Sequence, residues 1–193
     1  MKPHRLTQLG LSLGALAIVL AACAAPASPT PVPTSPYTSL LDSPIRGLSL
    51  EEIQELETGA GAGFARAAEL NGYPGPRHIL DLQTELALSD DQRLQVQQLF
   101  DDMNSQARPL GADILQLETE LELAFRTQTI DEASLEAQLT MLADKYGELR
   151  LLHLRTHLVA IKLLTPQQLA HYDELRGYAQ PDSNNDHGGG HQP

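Results

Sequence analysis

Tryptophan is absent, aromatic residues make up only 4% of the chain, and one cysteine occurs in 193 residues. An interior dominated by Leu, Ala, Glu and Gln suits helix packing rather than a sandwich or a barrel. A single thiol excludes an internal disulfide framework. Basic residues are also few: 13 Lys and Arg stand against 25 Asp and Glu, a formal charge of -12. They are scattered singly along acidic segments, whereas binding a phosphate backbone needs them clustered, so nucleic acid is excluded as a partner. Cations or basic protein segments match this charge better, and the acidity also serves plain solubility.

The only long apolar run, Leu9 to Ala22, is too short to span a bilayer and follows the positively charged Lys2 and Arg5. That pattern reads as a signal peptide over residues 1–22. It ends in Leu20-Ala21-Ala22-Cys23, which resembles the bacterial lipobox, so Cys23 is expected to become the lipidated first residue of the exported chain. The buried acyl carbons would supply membrane affinity at roughly 0.8 kcal/mol per CH₂. Loss of Lys2 and Arg5 leaves 11 basic residues against 25 acids, a charge of -14. Five prolines between residues 26 and 36, among Ala, Ser and Thr, predict an extended tether, taken as residues 23–47.

Five helix starts are legible beyond it. Ser49 with Glu52 forms a capping box, with Leu48 and Ile53 as a hydrophobic staple, and the helix weakens at Gly59 to Gly63. Pro76, after the turn Asn71 to Gly75, opens a short helix carrying Ile79, Leu80, Leu82 and Leu86. Ser89 with Gln92 opens a long helix with a stripe of Val96, Leu99, Met103, Leu110, Ile114, Leu117, Leu121 and Phe125, with a bend expected at Pro109. Thr129 with Glu132 is expected to cap the return helix, whose stripe runs Leu135, Leu139, Leu142, Tyr146, Leu149, His153 and Ala160. The short connection makes these two helices antiparallel neighbours. Thr165, Pro166 and Gln168 open a last helix ending near Gly177, with Leu164 stapled to Leu169. The expected fold is therefore all-α: a long antiparallel helical hairpin with short flanking helices over residues 48–180, and a disordered Gly- and His-rich tail over residues 181–193. The apolar face left along two helices joined at one end points to a homodimer.

Leu88-Ser89-Asp90-Asp91-Gln92 and Leu164-Thr165-Pro166-Gln167-Gln168 resemble the paired LTxxQ motifs of the Spy/CpxP family. The segment Ala67 to Pro76 is also similar to envelope proteins described as periplasmic heavy-metal sensors. The resemblance covers roughly residues 48 to 178 and rests on Leu88, Ser89, Gln92, Leu164, Thr165 and Gln168. It implies motifs that each open a helix, two long antiparallel helices between them, and an ATP-independent chaperone acting on unfolding envelope proteins. Ser89 in place of threonine keeps the capping hydroxyl. The strong acidity departs from the basic, apolar concave face that the resemblance implies for clients.

No nucleophile-and-base set and no phosphate-binding glycine loop is present, since Gly59 to Gly63 lacks a following Lys-Ser/Thr, so no catalytic residue is expected. His153 and His157, spaced i and i+4, share one helical face and could share a divalent transition metal such as Zn²⁺, Ni²⁺ or copper. A third ligand would have to come from His78, Glu148 or an acid on a neighbouring helix, and both histidines could equally be packing residues. His187 and His191 in the tail offer weaker capture, at an entropic cost. Three functions follow: a holding chaperone, a heavy-metal sensor or buffer, and a structural lipoprotein binding one dedicated partner.

Overall fold

A computed structural model describes residues 34–179, and the helices below all lie within the unit Pro36–Pro193. Among the described residues the fold is all-α, with no strand. It comprises α1 (Leu50–Thr58), α2 (Arg66–Glu69), α3 (Pro76–Asp81), α4 (Asp90–Arg126), α5 (Glu132–Ala160) and α6 (Pro166–Arg176), with single 3₁₀ turns at Thr38–Leu40 and Ile161–Leu163. None of these helices is long and apolar enough to cross a membrane. Cys23, His187 and His191 lie outside the described residues.

Local chemistry sets the helix ends. Ser49, Ser89 and Thr165 each accept a hydrogen bond from the N–H three residues on, and the side-chain oxygens of Glu52, Gln92 and Gln168 accept in turn from the cap N–H. Each reciprocal pair satisfies donors that an uncapped helix leaves bare. The α5 cap differs from expectation: Asp131, not Thr129, accepts from the Ser134 N–H at 2.8 Å. Thr129 is used up by the preceding helix, because its N–H donates to the Ala124 carbonyl at 3.0 Å and closes α4. α4 runs unbroken from Asp90 to Arg126 with Pro109 inside it. Pro109 and Ser105 are both exposed, so the Ser105 carbonyl that loses its N–H partner sits where water can satisfy it.

α4 meets α5 and the turn that follows it at more than one level. Gln92 reaches the Leu163 carbonyl at 2.8 Å, while farther along α4 Asp113 pairs with Lys145 at 3.0 Å. The buried side chains form two separate clusters. One gathers Leu56, Ala107, Ile114, Leu142 and Leu149, joined by Ile45 and Leu48. The other gathers Ile79, Leu86, Leu88, Val96, Ala160, Leu164 and Tyr172. Ile45 falls on the tether side of the boundary read from the sequence, yet it is buried, and Ser43 donates to its carbonyl at 3.0 Å. α1 crosses α4 at Gly111, where only the missing side chain leaves room for the Leu56 carbonyl. The expected stripes hold at their centres and fail at one end: Phe125 and Leu139, near the α4–α5 connection, are exposed.

Candidate functional site

The six motif residues meet in space. Leu88 and Leu164 are buried in the same apolar cluster, which draws the starts of α4 and α6 together. Gln92 Nε2 donates to Gln168 Oε1 at 2.8 Å, and Gln168 Nε2 donates to Gln92 Oε1 at 3.1 Å. The second proton of each amide goes to a backbone carbonyl, Leu163 at 2.8 Å for Gln92 and Leu86 at 3.2 Å for Gln168. Each Oε1 also accepts from its own cap N–H, that of Ser89 at 3.1 Å and that of Thr165 at 2.9 Å. Both donors and both acceptor sites of each glutamine are thereby used.

This explains why glutamine rather than glutamate stands at the third position. A carboxylate caps the helix equally well, but it cannot donate to a carbonyl, and it would face the oxygen of its partner amide. Gln92→Glu is therefore expected to lower stability by about 1–3 kcal/mol despite preserving the capping box. Gln92→Glu and Gln168→Glu together should not cost the sum of the two, because they share one interaction. Urea unfolding of the single and double variants measures this; additive losses would show that the amides do not act as a pair.

The second constellation lies between the two apolar clusters, at the level where both long helices interrupt their aliphatic stripes. Met103 on α4 and His153 and His157 on α5 line one cleft of about 380 Å³, and His78 on α3 lines it too. Of the sequence-predicted ligands, the structure thus brings His78, His153 and His157 to one cavity. Glu148 does not join them; its carboxylate lies 3.6 Å from Lys145 Nζ on an exposed part of α5.

The three imidazoles are held differently. His157 Nδ1 donates to the Tyr73 carbonyl at 2.6 Å, which assigns the lone pair to Nε2. His78 Nδ1 lies 3.1 Å from Glu69 Oε1, and donation to that carboxylate likewise leaves Nε2 with the lone pair. His153 is 2% exposed, and its Nε2 is buried with no hydrogen-bond partner. Its ring stacks beside Phe64, with centroids 6.2 Å apart. Burial, and then the neighbouring charge of His157, push the His153 imidazole down to about 4, so it is neutral at ordinary pH.

Glu69, which sequence reading missed, organises this end of the molecule. It is buried, and it accepts from the Gly75 N–H at 3.0 Å, from His78 and from the Tyr172 hydroxyl. Arg176 Nε lies 3.6 Å from the same carboxylate and His157 Nδ1 3.9 Å from it. Burial alone would raise the Glu69 carboxyl, but the bonds from His78, Tyr172 and Gly75 outweigh it and hold the group below its ordinary value. One side chain thereby ties α2, the loop before α3, α5 and α6 together. Its partners are 6 to 107 residues away in sequence, so no local spacing marked it.

Among the described residues, no group of three or more His, Cys, Asp or Glu is arranged to hold a metal ion. The three histidines share a cavity without forming a complete nitrogen-and-oxygen coordination set. Compared with known proteins, the chain matches no family model, no curated protein and no solved structure.

Proposed function

We propose that this protein is an exported, lipid-anchored envelope stress protein of the Spy/CpxP kind, which holds unfolding proteins without ATP. In this reading α4 and α5 form the long antiparallel hairpin, two copies associate as a homodimer, and Cys23 carries the lipid. No residue is assigned a catalytic role. The observation that carries the reading is the placement of the two LTxxQ-like motifs: Ser89 opens α4, Thr165 opens α6, and the two long helices lie between them. The pairing of Gln92 with Gln168 gives the two copies a physical reason to occur together. Apolar side chains left in solvent along α5, including Leu151 and Leu158 seven residues apart on one face, supply a surface for exposed segments of clients. The acidity of the chain favours clients whose apolar segments are flanked by basic residues.

The test is suppression of aggregation of a basic and of an acidic model client, without nucleotide, by residues 23–193 carrying Cys23→Ser. Suppression near equimolar ratio, greater for the basic client and reduced several-fold by Leu151→Asp/Leu158→Asp with helicity retained, is the expected result. Aggregation that proceeds unchanged for both clients would sink the reading.

A second reading is sensing or buffering of a transition-metal ion. It is favoured by one specific observation, the three imidazoles lining a single cleft, two with Nδ1 held by an acceptor and one with an orphaned buried Nε2. Fixing one ring nitrogen so that the other keeps its lone pair is how metal-binding histidines are oriented.

A further inference from the structure

We infer that the cleft is a site for a soft monovalent ion of the Cu⁺ class, held by Met103 together with His153 and His157. The inference rests on the metal-binding reading above and adds to it a ligand and a class of ion. Met103 is buried and lines the same cleft as the two histidines, at the level where the aliphatic stripe of α4 would otherwise carry a branched side chain. Of the two other methionines, Met1 lies in the leader and Met141 is exposed. A thioether is a poor ligand for Zn²⁺ or Ni²⁺ and a good one for Cu⁺.

Coordination number points the same way. A structural Zn²⁺ site takes four ligands, and no three His, Cys, Asp or Glu among the described residues are grouped to begin one. Two imidazoles and one thioether make a low-coordination, soft set that such a grouping does not include. Carboxylates are kept out: no acid lines the cleft, and Glu69 is occupied behind it by His78, Tyr172 and Gly75. Two further features suit an occupant. The His153 Nε2 is buried without a partner, a costly arrangement unless something takes its lone pair. A Cβ on Gly75 would stand 3.1 Å from His157 Nε2, so the glycine leaves open the space beside that nitrogen.

The experiment uses residues 23–193 with Cys23→Ser, so that no thiol competes, and titrates Ag⁺ as a redox-inert stand-in for Cu⁺, then Cu⁺ itself against a chromophoric competitor, then Zn²⁺ and Ni²⁺. Met103→Leu conserves volume and should fold; His153→Gln/His157→Gln and His187→Asn/His191→Asn complete the set. One equivalent of Ag⁺ and Cu⁺, weakened at least about tenfold by Met103→Leu and by the cleft histidine pair but not by the tail pair, is the expected result. A shift of the Met103 methyl resonance on Ag⁺ addition should accompany it. Zn²⁺ or Ni²⁺ binding lost in the cleft histidine pair but indifferent to Met103→Leu, with no added affinity for Cu⁺, would overturn the inference while leaving the metal reading intact. Binding lost only in the tail variant, or no binding at all, would overturn both.

Discussion

Gly111→Ala should be among the most destabilising single-methyl additions in this protein, while the same change at Gly147 should stabilise it. A Cβ built on Gly111 falls 2.0 Å from the Leu56 carbonyl oxygen and 2.8 Å from its carbon. The obstacle is the backbone of α1, not a side chain that can rotate away, so α1 must lift from α4. Leu56, Leu48 and Ile45 share a cluster with Ala107 and Ile114 of α4, and that cluster would open. Overpacking typically costs 1–3 kcal/mol; a clash between two helix backbones is expected at or above the upper end, about 3 kcal/mol. A Cβ on Gly147 meets nothing within 4 Å in the middle of α5, so only helix propensity changes there, a gain of about 0.8–1 kcal/mol. Urea unfolding of the two variants should move the midpoint in opposite directions. A Gly111→Ala protein as stable as the parent would mean that α1 is not seated on α4 in solution.

What was legible in the sequence was what depends on residues within about one helical turn of each other. The capping boxes at Ser49 and Ser89 and the cap at Thr165 are contacts between residues i and i+3, and all three caps form as read, with Gln168 completing a box at Thr165 as well. The cap of α5 turns on an equally local matter: both Thr129 and Asp131 can cap, and the choice depends on how α4 ends. Gln128 takes a φ of 56°, which turns the chain so that the Thr129 N–H closes α4 and Asp131 is left to open α5. Periodicity places the stripes but does not say where coverage stops, so Phe125 and Leu139 continue the core pattern in the sequence while remaining exposed in the fold. In the sequence Met103 is one more apolar step of the α4 stripe. Only the arrival of His153 and His157 opposite it, and of His78 from α3, distinguishes it from its neighbours. Gly111 and Glu69 carried no local signal, because a close backbone approach and a buried hub are defined by what arrives from elsewhere in the chain.

Acidification should destabilise the protein in two stages, and His153→Leu should remove the first. In the folded state the His153 imidazole titrates at about 4, whereas unfolded it takes its ordinary value of 6.5. Between those two pH values the unfolded chain binds a proton that the folded chain refuses, so stability falls as pH drops through that window and is fully present above it. A shift of that size corresponds to roughly 3 kcal/mol across the window. The Glu69 carboxyl is held below its ordinary value, so its contribution persists through the first stage and is lost only at lower pH, as it protonates in the folded state. Leucine at position 153 cannot take up a proton, and it also relieves the desolvation of an unpartnered Nε2. Its stability should therefore change little between pH 7 and pH 5, where the parent loses ground, and fall only in the carboxylate range. Urea unfolding of parent and variant at pH 7, 6, 5 and 4 decides it; parallel profiles would place the proton uptake elsewhere. The same buried nitrogen links this behaviour to the cleft, because a bound metal ion and a proton compete for one lone pair on His153. Occupancy by the ion should delay the first stage to lower pH, and His153→Leu should abolish that delay.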